Sequence, residues 1–303
     1  MAKFIGNFFL FFALLTVIDI VCGYGFNVLK KNAMGGDTRK NYFIAEECCD
    51  EILVLGSSRA VRHYDPQIIE DKLRESCYNC GEPGCGIITA YARYRLVASR
   101  KKPKVVLYEV TPRFDYYKTD DYSKYLGRVR QYSDKPVIRK LFIELGDDLE
   151  KIRLLSKMYQ NNSCIANNII DNISGSNVID GYKPLRGKMA PGAYQPNDYS
   201  VCGIDSVKLS YIEKLIVELQ KDGVKLFFIV SPKAISKEAA EMEKAEYEPI
   251  ISLCNQYGIP FFNHLYMESI SDNIQYFHDF HHLNFEGAKK YTEEICSELL
   301  NFN

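Results

Sequence analysis

Ile52-Leu-Val-Leu-Gly-Ser-Ser-Arg59 decides how this chain is read. Four apolar residues stand in a row with no polar position between them. A run that short fits a strand buried on both faces, the usual state inside a parallel sheet. Gly56 ends the run, and two hydroxyls follow at once. Ser57 and Ser58 would then lie at the carboxyl end of a buried strand, where open α/β sheets bind their ligands. Either serine could also cap a following helix.

Outward from this stretch, strand-like and helix-like segments alternate. Pro66 to Arg74 has helical spacing, Cys77 to Cys80 reads as a short second strand, and Ile87 to Ser99 as an amphipathic helix. Lys104 to Val110 reads as a third strand, Asp205 to Asp222 as a helix closed by Gly223, and Val224 to Val230 as a fourth strand. A helix over Lys237 to Tyr257, a fifth strand over Ile259 to Phe262 and a last helix over Glu286 to Leu300 complete the series. The alternation predicts a three-layer α/β/α domain around a parallel, flavodoxin-like sheet of five strands. Residues 112–203 break the pattern. They are rich in Tyr and Asn, and are expected to form an insertion with helices over 136–160.

The second informative stretch is Tyr276-Phe-His-Asp-Phe-His-His-Leu-Asn-Phe-Glu-Gly-Ala-Lys-Lys290. Asn284 is a good N-cap and Glu286 falls in the first turn of the last helix, so Asp279 and His282 occupy the loop feeding that helix. A histidine oriented by a carboxylate can act as a general base toward a nearby hydroxyl. His278 and His281 compete for the role. A metal site from His278, Asp279, His281 and His282 is disfavoured, because adjacent histidines point apart, and no metal or cofactor is expected.

Together these stretches resemble the SGNH (GDSL-type) hydrolase superfamily. Gly56-Ser57-Ser58-Arg59 stands where its Gly-Asp-Ser motif lies, and Asp279-Phe-His-His282-Leu-Asn284-Phe-Glu-Gly287 matches its Asp-x-x-His with Leu-Asn-x-x-Gly. The resemblance implies Ser58 as nucleophile, His282 as base and Asp279 as its orienter. Asn79-x-x-x-x-Gly84 resembles the second motif, which implies the amides of Ser58 and Gly84 as oxyanion donors. The third motif departs: Glu109-Val-Thr111-Pro-Arg113 carries no asparagine where the family has Gly-x-Asn-Asp, leaving Thr111 or Arg113 to compensate. Arg59, Asn79, Thr111 and Arg113 are the candidate substrate contacts. Arg59 could instead pair with a carboxylate of the fold. The aromatic residues Phe114, Tyr116, Tyr117, Tyr122 and Tyr125 could line a sugar groove or pack the insertion. The Gly-Ser-Ser variant resembles the branch found in polysaccharide and teichoic-acid acylation. That branch implies an esterase or O-acyltransferase acting on a cell-surface glycan outside the cytoplasm, with a membrane-bound O-acyltransferase as partner. A non-catalytic glycan-binding or assembly protein on the same fold is the alternative.

The 303 residues, 47% hydrophobic and 25% charged, suit one large domain or one domain with an insertion. A net charge of -1 gives no field that would select nucleic acid. Ten cysteines follow no zinc spacing. Cys77, Cys80 and Cys85 are the densest group and read more simply as a strand and loop. Phe4 to Leu29 is nearly continuous apolar sequence, long enough to cross a bilayer. Residues 1–30 are therefore expected to be an uncleaved anchor, with a signal segment as the rival, 31–48 a polar stalk and 49–303 the α/β domain. Cys22 follows a poor lipobox. Asp19 either meets another membrane segment or lies near one end of the span. Lys30, Lys31, Arg39 and Lys40 after the span would keep the domain in the cytoplasm by the positive-inside rule, whereas the resemblance implies the opposite side.

Overall fold

Ile52–Gly56 is a strand, β1, buried at every position. In the computed structural model, which describes residues 1–174, 180–190, 192 and 200–302, four further strands join it. They are β2 (Cys77–Asn79), β3 (Val105–Glu109), β4 (Lys225–Val230) and β5 (Phe261–Asn263). All pairs are parallel and the order is β2-β1-β3-β4-β5, the flavodoxin-like arrangement. The α/β class and the five parallel strands expected from the sequence are present.

Alternation along each strand sorts the core. Ile52, Val54, Leu107, Phe227 and Ile229 pack with Tyr291, Ile295 and Leu299 of the last helix, Phe285–Asn301. Leu53, Val106 and Phe228 are equally buried and point to the other face. The helices Ser58–His63 and Pro66–Leu73 pack on the last helix, and Ile87–Ala98 packs on Ser206–Lys221. The single helix expected over 237–257 is divided into Lys237–Glu243, a 3-10 turn Lys244–Tyr247 and Glu248–Tyr257. Pro249 explains the break, because proline lacks the N–H that would continue the ladder and crowds the preceding turn.

The chain divides into two compact units. One holds the sheet and covers Glu46–Asp121 and Ile179–Asn303. The other is helical and combines Met1–Ala45 with Tyr122–Val178. Within the helical unit, the apolar N-terminal segment forms one helix, Ala2–Asn32, long and apolar enough to cross a membrane. Residues 31–48 carry the helix Gly36–Glu46, which buries Thr38, Lys40, Ile44 and Ala45. Pro136–Leu145, Asp148–Arg153, Lys157–Asn161 and Ile165–Ile173 supply further helices of that unit. Residues 175–179, 191 and 193–199 of the expected insertion lie outside the described residues.

Candidate active site

The register of the sheet builds the site. Gly56 pairs with Glu109, and Glu109 with Ile229, so the ends of β1, β3 and β4 are level. At the end of β1 the chain must turn sharply from strand to helix. Gly56 makes that turn at φ +131°, where a side chain is strained, and a Cβ there would lie 2.5 Å from the Glu109 carbonyl oxygen. Ser57 becomes the N-cap position and Ser58 the first residue of the helix Ser58–His63, foreshadowed in the sequence only by a serine able to cap a following helix.

The second half of the site is the loop before the last helix. Asn284 caps that helix by accepting the Gly287 N–H at 3.1 Å, and its side-chain amide donates to the carbonyls of Gly187 (3.0 Å) and Gln275 (2.7 Å). The His278 N–H donates to the His282 carbonyl at 2.8 Å, closing a tight loop. The Asp279 carboxylate accepts the backbone N–H groups of His281 (2.8 Å) and His282 (2.9 Å). It also faces His282 Nδ1 at 2.9 Å and 3.0 Å. Burial works to raise this carboxyl, but the hydrogen bond and charge of His282, with the two amides, outweigh it and bring the group down to about 2.

The two halves meet. His282 Nε2 lies 2.8 Å from Ser58 Oγ, across 224 residues of sequence. A carboxylate at Nδ1 requires the ring proton there, which leaves Nε2 to accept the Ser58 hydroxyl. A hydroxyl so placed can be deprotonated as it attacks. His281 also lines the pocket in front of these groups, together with Thr111, Arg113, Lys233 and Tyr247, around a volume of about 230 Å³. Burial first, then the charges of Lys233 and Arg59, lowers His281 to about 4, so it is uncharged at pH 7.

The other candidate residues separate into two groups. Thr111 and Arg113 line the pocket. The Thr111 hydroxyl is 2.8 Å from that of Ser57, and its backbone N–H donates to the buried Asp115 carboxylate at 2.6 Å. Arg59 borders the pocket but is buried. Its guanidinium pairs with Glu109 at 3.0 Å and donates to the carbonyls of Val110 (2.6 Å) and Ser231 (3.3 Å). Asn79 is fully buried, with its amide donating to the Ala60 and Tyr64 carbonyls and its oxygen accepting the Gly81 N–H. Gly84 occupies the turn after β2 at φ +70° and is not among the lining residues described. Of the aromatic residues, Phe114 lines the pocket, whereas Tyr116, Tyr117 and Tyr125 are buried.

Sequence reasoning missed what lies behind His282. The Leu283 N–H donates to His63 Nε2 at 2.9 Å, so His63 carries its proton on Nδ1 and donates it to Ser231 Oγ at 2.7 Å. Ser231 Oγ in turn donates to Glu109 at 2.9 Å. Glu109 also accepts from Tyr64 OH (2.5 Å) and from the Ser231 N–H. Burial foremost, with the nearby charges of His282, Arg59 and Arg62, holds His63 well below the ordinary imidazole range. One neutral imidazole thus clamps the backbone next to His282. His63 ends the helix that follows β1 and Ser231 directly follows β4, so their places near the carboxyl ends of two strands are the signal that could have flagged them.

A protein-family model matches residues 203–302, which run from just before the helix Ser206–Lys221 through β4, Asp279, His282 and the last helix. No curated protein matches the chain in sequence. Among solved structures, the chain is similar to a Bacteroides fragilis protein assigned as an acylhydrolase, at 12% identity and a TM-score of 0.42, covering 87% of this chain and 94% of that one. It is also similar to one from Streptococcus pneumonia assigned as a platelet activating factor, at 10% identity and 0.43, covering 94% and 99%. A third similar structure is a family two carbohydrate esterase from Clostridium thermocellum in complex with cellohexaose, at 11% identity and 0.36, covering 83% of this chain and 64% of that one.

Proposed function

We propose that this chain is a serine esterase or O-acyltransferase of the SGNH type. In this reading the N-terminal helix anchors it to a membrane, and it acts on acyl esters of a cell-surface glycan outside the cytoplasm. The observation that carries the reading is the hydrogen-bonded line from Ser58 through His282 to Asp279. Ser58 Oγ attacks the acyl carbonyl while His282 Nε2 takes its proton, and Asp279 stabilises the imidazolium that forms. His282 then returns the proton to the departing sugar oxygen, leaving the acyl group on Ser58. Water, or a second sugar hydroxyl, is activated by the same imidazole and removes the acyl group.

The oxyanion of each tetrahedral intermediate faces the Ser58 amide. That amide belongs to the first turn of a helix, where N–H groups have no partner within the helix. The second donor is assigned to the Ser57 and Thr111 hydroxyls in the pocket. Two hydroxyls bonded to one another use only one of their two protons, so the other remains to be donated. Arg113, Phe114 and Tyr247 in the pocket supply the polar and aromatic surface that suits a sugar.

Labelling with a serine-reactive fluorophosphonate tests the reading. The wild type is expected to label and Ser58→Ala to stay unlabelled. Equal labelling of Ser58→Ala would put the nucleophile elsewhere, and an inert wild type would favour the glycan-binding alternative. Partition of acetyl from an activated ester between water and an oligosaccharide then separates hydrolysis from transfer.

A further inference from the structure

The N-terminal helix changes character at Asp19. Residues 2–18 are exposed throughout. From Asp19 onward, one face of the helix is covered at Asp19, Cys22, Gly23, Phe26 and Lys30, a spacing of three and four that marks a helix packed along one stripe. Gly23 lets its partner approach closely, since a Cβ there would lie 2.7 Å from Lys157 Cβ. Asp19 itself accepts the Ser156 hydroxyl at 2.6 Å, the Lys157 N–H at 2.7 Å and the Met158 N–H at 2.9 Å. These amides open the helix Lys157–Asn161 and would otherwise lack partners. Asp19 is thus joined to the folded part of its own unit, at the level where the bare apolar stretch begins.

The segment bonded to Asp19 is itself unusual. Helix Asp148–Arg153 has no buried residue. Leu149 (60% exposed), Ile152 (64%), Leu155 (81%) and Met158 (44%) repeat every three residues and face outward. Lys151 and Arg153 stand among them. A soluble surface scatters its exposed apolar residues singly. Here four recur along ten residues, and Leu155 and Met158 flank the atoms that hold Asp19.

We propose that residues 149–158 form a collar that lies in the interfacial layer of a lipid bilayer, around the point where the N-terminal helix enters it. The proposal rests on the reading of Ala2–Asn32 as a membrane-crossing helix. Residues 2–18 extend for about 25 Å at 1.5 Å per residue, close to the thickness of the hydrocarbon layer. A bilayer that takes up this stretch puts Asp19 at the hydrocarbon boundary, so its anchored neighbours Leu155 and Met158 meet the headgroup and upper acyl region. Apolar side chains with interspersed Lys and Arg are the composition that partitions there, the cationic heads reaching the phosphates while the stems stay with the acyl chains.

The chain contains no tryptophan, so single-Trp variants report without background. The full chain carrying Leu155→Trp, Phe11→Trp or Val217→Trp is reconstituted in phosphatidylcholine vesicles with and without brominated acyl chains. Val217 is exposed on Ser206–Lys221 of the sheet unit and serves as the control. Quenching at Phe11→Trp and Leu155→Trp but not at Val217→Trp is the expected result. Quenching at Phe11→Trp with none at Leu155→Trp would overturn the collar and leave the patch to a membrane-protein partner. No quenching at either would overturn the membrane-crossing helix and the collar with it. Quenching at Leu155→Trp alone would remove the crossing helix and overturn the collar around it, leaving a peripheral contact of 149–158 with lipid.

Discussion

The two units differ in where their most notable polar and apolar groups lie. In the sheet unit, charges that enter the interior are paired: Arg59 with Glu109, Arg93 with Glu82, Lys233 with Glu243. Its large apolar side chains line two faces of one sheet. The helical unit leaves Phe, Leu and Ile side chains outside along 2–18 and again along 149–158, and a carboxylate at Asp19 is held by hydrogen bonds at its surface. Burial of a charge is costly without a partner, and a long contiguous run of exposed apolar side chains is unfavourable in water. The sheet unit holds a few atoms in fixed positions, and the helical unit carries the apolar surface that the proposed membrane contact would cover.

The sharpest way to break that comparison is to ask where activity resides. His282→Ala is expected to lower single-turnover acylation by an activated acetyl ester roughly 10⁴- to 10⁶-fold. Asp279→Asn should cost about 10⁴-fold through the wrong tautomer, with little effect on folding, since its side chain is 46% exposed. His281→Ala should largely spare the rate, because Asp279 meets the side chain of His282 and only the backbone of His281. Leu149→Ser in the helical unit should leave acylation in detergent unchanged. A dead His281→Ala, or a dead Leu149→Ser, would mean that the site is assigned to the wrong atoms or the wrong unit.

Stability comes next in size. Glu109→Gln leaves the buried Arg59 guanidinium without its counter-charge and is expected to cost about 3–5 kcal/mol in urea unfolding. Asp19→Ala removes two amide contacts at an exposed helix start, for about 1 kcal/mol. Equal costs would erase the distinction between a buried charge network and a surface cap.

The most gradual effect is on pH dependence. His63 is fully buried and its imidazole is held well below the ordinary value of 6.5. The unfolded chain therefore binds a proton there below about pH 6.5 while the folded chain does not, so stability is complete above that pH and falls as pH drops through it. One such proton corresponds to ~1.4 kcal/mol per pH unit at most. Urea unfolding between pH 7.5 and 5 should show His63→Gln with the shallower slope. An unchanged slope would show that His63 is not the buried neutral clamp behind His282.

Local pattern carried much of this in advance. The buried runs that became β1, β3 and β4, the Asn284 cap and the apolar N-terminal helix were legible because each depends on neighbours a few residues away. The helix Ser58–His63 was legible only as a serine cap, because a single turn and a half with polar ends gives no period. The break near Pro249 has a local cause in the proline, which the apolar spacing around it masks.

Residue order alone set the alternation of strand and helix, the parallel class of the sheet and the loop that carries Asp279 and His282, since these follow from periodicity, turn chemistry and capping. Only the tertiary structure decided that His282 Nε2 stands 2.8 Å from Ser58 Oγ, and that Asn79 serves the interior. It alone showed that Arg59 closes on Glu109, that His63 holds Leu283, and that Asp19 meets Ser156. Most of those pairings join residues from 15 to 224 positions apart. They depend on which strand ends lie level and which helices cross, and such distances are properties of the packed whole rather than of any window of sequence.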